Sequence, residues 1–106
     1  MVMKNENFGH VIKEARLNVK LTREELSEMT GISIRYIAAI ENEGKKPRFE
    51  IMRTLIRALG MDANTIYYPD KKIAHNEKKQ IINMLSLCDE YEFSIVAAVV
   101  RAVLKK

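Results

Sequence analysis

The side chains of this chain that are best suited to chemistry are cations clustered between residues 35 and 48. Arg35 stands in an otherwise apolar stretch, and Lys45, Lys46 and Arg48 follow in a short segment that contains Gly and Pro. A guanidinium can donate to O6 and N7 of guanine together, and neighbouring cations can contact phosphates. These residues therefore predict non-covalent recognition of nucleic acid. The alternative is a solvated helix charge at Arg35 and a merely soluble loop after it.

The residues that could support covalent catalysis or bind a metal are weaker candidates than these cations. Cys88 is the only cysteine, so it has no partner for an intramolecular disulfide and is predicted to be a core thiol. His10 and His75 are far apart and lie in no zinc motif. The chain has no Ser/His/Asp or Cys/His set and no phosphate-binding Gly loop. We predict no metal, no cofactor and no enzymatic activity.

Size and composition predict a folded protein of one domain, or of one small domain with an appendage. The chain has 106 residues, 47% of them apolar, and no apolar run approaches the ~20 residues of a membrane span. Its polar start lacks the apolar core of a signal peptide. We therefore expect a soluble, cytoplasmic protein with no membrane partner.

The net charge of +4 favours an anionic partner. Residues 1–69 and 70–106 each carry a formal charge of +2. Neither part is a basic tail, so a DNA-binding face must come from local clustering of cations.

The cations lie in and after a stretch, Thr22–Glu41, that predicts two short helices joined by a tight turn. Leu26 and Met29 share one face of the first helix, and Gly31 allows the positive φ of the turn. Isoleucines turn one face of the second helix inward and leave the opposite face free to enter a groove. This helix-turn-helix pattern is typical of DNA binding.

Local signals predict where these helices begin and what surrounds them. Thr22 and Glu25 form the pattern of a capping box, and Ser33 is placed to cap the second helix. Apolar periodicity predicts an earlier helix over about residues 6–19, a later one closed by Gly60, and a short fifth one near 63–67.

The C-terminal part is predicted to be helical as well. Residues 70–76 form a polar linker, one helix follows, and Asp89 caps another that runs to the C-terminus. The apolar stripe of the last helix must pack within the same monomer or against a second chain, since it cannot stand alone in water. The residues assigned to dimerisation are Phe93, Val96, Val100, Val103 and Leu104.

Three ordered motifs carry a family resemblance: F-G-x-x-I-x-x-x-R from Phe8, L-T-x-E-E-L from Leu21, and G-I-S-x-x-Y-I-x-x-I-E from Gly31. With them the chain resembles the lambda-repressor-like family of phage repressor and Cro-type (XRE) regulators over about residues 6–69. The resemblance implies an all-α fold, a five-helix DNA-binding domain over 6–69, followed by a C-terminal helical hairpin over 70–106 that is expected to mediate dimerisation.

The resemblance also implies residue roles. Arg16 and Glu41 are expected to form a structural ion pair. The expected base-reading residues are Ser33, Ile34, Arg35, Ala38 and Ala39. The expected phosphate-contacting residues are Arg23, Tyr36, Asn42, Lys45, Lys46 and Arg48.

Three positions depart from the family pattern. Lys20 replaces a Gly, so a non-Gly residue is expected near positive φ. The Gly after the second helix comes one residue late, at Gly44. Arg48 stands where a Ser or Thr cap is usual.

The expected function is that of a bacterial or phage transcriptional regulator that binds double-stranded DNA as a homodimer and acts as a repressor. The alternative is a protein-interaction module or antitoxin of the same fold, which binds a partner protein through its apolar C-terminal hairpin. Ala38 and Ala39 favour that alternative, because they offer the DNA only sparse contacts.

Overall fold

The computed structural model describes residues 4–67 and 76–105, and every regular element in these ranges is an α-helix. The predicted all-α class is confirmed. Pro69 and most of the predicted linker lie outside the described residues. None of the helices described has the length and hydrophobicity that crossing a membrane requires. The helices are α1 (Lys4–Asn18), α2 (Arg23–Thr30), α3 (Ile34–Glu43), α4 (Phe49–Ala58), α5 (Asn64–Tyr67), α6 (Glu77–Leu85) and α7 (Glu90–Leu104).

The predicted caps determine where the second and third helices begin. Thr22 Oγ1 accepts from the backbone N–H of Glu25 at 3.0 Å, and Glu25 Oε1 accepts from the N–H of Thr22 at 2.8 Å. Ser33 Oγ accepts from the N–H of Tyr36 at 3.0 Å. Gly31 ends α2 with a φ of 77°, as the tight turn requires. The helix-turn-helix therefore follows from local hydrogen bonds that the sequence encodes.

The core lies between α1, α2, α3 and α4. Its packing is close enough that a Cβ on Gly9 of α1 would lie 2.5 Å from the carbonyl oxygen of Ile40 in α3. Met29, which shares a helix face with Leu26, is 51% exposed, whereas Leu26 is fully buried. The buried apolar residues are Ile12, Ala15, Leu26, Ile32, Ile37, Ile40, Leu55, Leu59 and Met61.

The three departures from the family pattern each have a structural counterpart. Lys20 has a φ of 63° and is the only non-glycine at positive φ among the described residues. Gly44 ends α3 in the left-handed conformation, with a φ of 70°. Arg48 occupies the cap position of α4 without a side-chain hydrogen bond to the helix. Helix α3 therefore ends at Glu43 and is closed by Gly44.

Helix α6 packs onto the preceding domain through a buried polar residue. Gln80 is fully buried, and its Nε2 donates to the carbonyls of Ala15 and Leu59, each at 2.8 Å. Gly60 permits this approach, because a Cβ there would lie 2.1 Å from the carbonyl oxygen of Gln80. Asn83 Nδ2 donates to the carbonyl of Gly60 at 2.8 Å. The C-terminal part is therefore anchored to α1 and to the end of α4.

Helix α7 is capped but hardly packed. Asp89 and Glu92 form a capping box, with distances of 2.7 and 3.0 Å. None of the residues of α7 is buried, and Cys88 just before it is half-buried, not in the core as predicted. The radius of gyration of 15.1 Å exceeds the ~13 Å of a compact chain of this length. The apolar surface of α7 is therefore left uncovered.

Candidate nucleic-acid interface

Helix α3 has a buried face and an exposed face, because its apolar residues recur at helical spacing. Ile37 and Ile40 are fully buried against the core. Ser33, Ile34 and Arg35 are exposed at the beginning of the helix, with Ile34 at 43%. The first turn of α3 is therefore accessible to a large ligand.

A groove runs along the outward side of α3. It brings together three of the predicted base-reading residues and two of the predicted phosphate-contacting ones. Ile34 and Ala38 do not line it, and Ala38 is half-buried. The lining residues are Ser33, Arg35, Tyr36, Ala39, Glu43 and Lys45.

Lys45 and Tyr36 form the cationic rim of this groove. Lys45 Nζ lies 4.9 Å from the centroid of the Tyr36 ring, within the range of a cation–π contact. The contact holds a flexible ammonium group near the helix while its N–H donors remain exposed. A cation fixed in this way is suited to bind a phosphate beside the groove.

Behind the groove, Glu41 is held by two arginines. Arg16 Nε donates to Glu41 Oε2 at 2.8 Å, and Arg16 Nη2 donates to Glu41 Oε1 at 2.9 Å. The Arg16 side chain is 7% exposed and that of Glu41 is fully buried. The ion pair expected from the resemblance is therefore bidentate and shielded from water, and it joins α1 to α3.

Arg23 extends this ion pair towards the surface. Its Nε donates to Glu41 Oε1 at 3.0 Å, and its Nη2 approaches Asn42 Oδ1 at 3.4 Å. The side chain is 29% exposed, so part of the guanidinium faces solvent. Two predicted phosphate-contacting residues thus contact each other, and each keeps N–H donors that these two bonds do not use.

The other two predicted phosphate-contacting residues lie beyond the groove. Lys46 and Arg48 are exposed in the segment between α3 and α4. No hydrogen bond or ion pair joins either side chain to another residue in the part of the chain that the structure describes. Their charges are thus available, although they do not line the groove.

Glu43 is the groove residue that the sequence reasoning missed. It follows Arg35 and Ala39 at intervals of four, so it lies on the same helical stripe, and periodicity could have found it. Its carboxylate places a negative charge beside Arg35 and Lys45. Across residues 4–67 and 76–105, no three His, Cys, Asp or Glu side chains are grouped as a metal site would require.

Two comparisons with known proteins bear on this geometry. Residues 12–66 match the family model described as helix-turn-helix, which is slightly more than half of the chain. No curated protein matches the chain. The match begins within α1 and continues into α5, and it includes every groove residue.

Proposed function

The chain belongs to the lambda-repressor-like helix-turn-helix family of DNA-binding regulators, and on this basis we propose that it is a sequence-specific, dimeric transcriptional repressor. The observation that carries the proposal is the groove on α3, where Arg35 lies beside the cation–π pair of Tyr36 and Lys45. It combines a donor suited to base edges with a cation suited to phosphate.

Base reading is assigned to the first turns of α3. Arg35 donates to O6 and N7 of guanine, and Ser33, which lines the same groove, contacts a neighbouring base edge. Ile34, Ala38 and Ala39 contribute apolar contacts, for instance to thymine methyl groups. Specificity therefore rests on few polar contacts, and Arg35 carries most of it.

Phosphate binding is assigned to residues around the ends of α2 and α3. Lys45 and Tyr36 bind at one rim of the groove, and Lys46 and Arg48 extend the positive surface beyond it. Arg23 and Asn42 bind with the donors that their mutual contact leaves unused. Because Arg23 is positioned by Glu41, its phosphate contact requires little ordering on binding.

In this proposal, the dimer represses transcription by occupying its operator. Two recognition helices related by a two-fold axis enter successive major grooves of a palindromic operator, with half-sites ~10 bp apart. The bound dimer then excludes polymerase from the promoter. We assign the contact between the two copies to α7, whose apolar surface is uncovered.

Replacing Arg35 with Ala is expected to weaken operator binding ~10- to 100-fold, mainly at one base pair, because a bidentate contact to guanine is lost. Affinities for operators substituted singly at each position, measured by fluorescence anisotropy, would reveal this. Arg53→Ala is the matched control, since it removes an exposed arginine of α4 outside the groove. Equal losses on operator and on random DNA would contradict the base-reading role.

Replacing Lys45 with Ala is expected to weaken binding to all duplexes alike, because a phosphate contact carries no sequence information. The slope of log K against log salt concentration should become less steep by about one. Lys78→Ala, an exposed lysine of α6, is the control of equal charge. An unchanged salt slope would remove Lys45 from the interface.

A protein-binding module or antitoxin is the second candidate function, and the uncovered surface of α7 favours it. In that case a partner protein, and not a second copy, covers the helix. Expression with the neighbouring genes and co-purification would distinguish the two. A stoichiometric heterologous partner would support this candidate, and a homodimer without one would support the repressor.

A further inference from the structure

A second cavity lies away from the α3 groove, between α2, α4 and the beginning of α7. It is lined by four residues of α4, the last two of α2, Leu87 between α6 and α7, and Glu92 of α7. Its volume of about 540 Å³ is within the range of clefts that bind small molecules. We call this cavity the α4 cleft.

Two arginines of α4 line this cleft without a neutralising partner among the described residues. Arg53 and Arg57 are four residues apart, so they lie on the same face of the helix. Both are exposed, and no hydrogen bond or ion pair joins either guanidinium to another residue in the ranges that the structure describes. Like charges at this spacing repel each other and disfavour the helix. An anion bound between the two guanidiniums would offset that repulsion.

The arginines also supply the side-chain donors of the α4 cleft. Thr30 and Thr54 line it too, but their hydroxyls already donate to backbone carbonyls of their own helices, at 2.7 and 2.9 Å. Two guanidiniums one helical turn apart can each donate to one oxygen of the same carboxylate. The donors therefore favour a ligand with an anionic oxygen group over a neutral one.

Glu92 limits the charge of the anion that the α4 cleft can accept. Its Oε1 accepts from the backbone N–H of Asp89 at 3.0 Å, and it forms no ion pair with Arg53 or Arg57. With two guanidiniums and one carboxylate, the lining has a net charge of +1. A singly charged ligand matches this charge, whereas the second charge of a phosphate monoester would be repelled by Glu92.

The remaining residues of the α4 cleft are apolar. Met29 and Leu87 are 51% and 40% exposed, and Ala58 of α4 is half-buried. A methionine side chain adapts its shape to different apolar groups. Exposed apolar side chains beside two arginines suit a ligand that has a carboxylate at one end and an apolar group at the other.

We propose that the α4 cleft binds a small, singly charged carboxylate with an apolar tail. Arg53 and Arg57 bind the carboxylate, Met29 and Leu87 contact the tail, and Glu92 disfavours anions of higher charge. A ligand held in this way contacts the helix-turn-helix through Met29 of α2 and the C-terminal part through Leu87. Neither arginine lines the α3 groove, so this inference does not rest on DNA binding.

Titration of the full chain with 4-phenylbutyrate, followed by nuclear magnetic resonance at constant ionic strength, tests the site. A probe of this size is expected to bind with a Kd on the order of 1 mM and to shift the resonances of the cleft residues. Acetate, which lacks the tail, and 4-phenylbutanol, which lacks the charge, should bind at least ~10-fold more weakly. Equal binding of the alcohol, no binding of the acid, or shifts only outside the cleft would overturn the proposal.

Substitution of the arginines tests their role in the same titration. Arg57→Gln is expected to weaken 4-phenylbutyrate binding ~10-fold, and the double variant Arg53→Gln with Arg57→Gln should abolish it. Arg101→Gln is the matched control, because it removes an exposed arginine of α7 outside the cleft. All three positions are exposed, so the variants should fold normally, as circular dichroism would verify. A double variant that binds as tightly as Arg101→Gln would overturn the proposal.

A phosphate ester with a matching tail distinguishes a carboxylate site from a phosphate site. At about pH 8, 3-phenylpropyl phosphate carries nearly two negative charges, so the unaltered chain should bind it more weakly than 4-phenylbutyrate. Glu92→Gln keeps an acceptor for the capping box and should reduce this difference. Tighter binding of the phosphate ester by the unaltered chain would overturn the assignment to carboxylates.

Discussion

Replacing Glu41 with Gln is expected to lower the free energy of unfolding by about 3–5 kcal/mol, because it leaves the buried guanidinium of Arg16 without its counter-charge. The fully buried carboxylate accepts from Arg16 at 2.8 and 2.9 Å and from Arg23 at 3.0 Å. A neutral amide offers one acceptor oxygen and no charge. The loss should therefore exceed that of any exposed ion pair in the chain.

Thermal and denaturant unfolding would measure the effect, with a fall in the midpoint of ~10 °C or more. Glu43→Gln is the matched control, since it makes the same chemical change two residues further on, at an exposed position. Arg23→Ala should cost less than Glu41→Gln, because Arg23 is 29% exposed and Arg16 still neutralises the carboxylate. Equal stability of the Glu41→Gln and Glu43→Gln variants would refute the structural role.

Replacing Gln80 with Met is expected to cost about 2–4 kcal/mol, because the carbonyls of Ala15 and Leu59 would each lose a buried donor. The side chains are of similar length, so the change mainly removes hydrogen bonds. Gln80 also accepts from Asn18 Nδ2 at 3.1 Å, and that donor would be left without its acceptor. The expected consequence is that α6 detaches from α1 and α4 before the domain unfolds.

Hydrogen exchange resolved along the chain would detect that detachment as faster exchange in α6. Lys79→Met, one residue earlier and exposed, controls for the added methionine. Similar exchange in both variants would show that α6 is held by apolar packing alone.

Much of the fold could be predicted because its signals are local. The capping box at Thr22, the cap at Ser33 and the turn at Gly31 each involve residues within one helical turn. The isoleucines of α3 follow helical periodicity into the core. Contacts of this kind depend on the spacing of residues along the chain, so they can be predicted from the sequence.

The remaining features depend on residues that are distant in sequence. Gln80 occupies a polar position among lysines, and only the return of α6 to the domain buries it. Arg23 was assigned to phosphate, but its contact with Glu41 requires α2 and α3 to be placed in space. Met29 follows the apolar period of α2, yet the neighbouring helices leave it half exposed.

The central claim is that α3 reads a DNA sequence. The most direct measurement is binding of the purified chain to a duplex from its own promoter region and to an unrelated duplex of equal length, at ~50 and ~200 mM salt. We predict that promoter binding persists at the higher salt, while binding to the unrelated duplex fades. Equal, salt-sensitive binding to both duplexes, or binding to neither, would contradict a sequence-specific regulator.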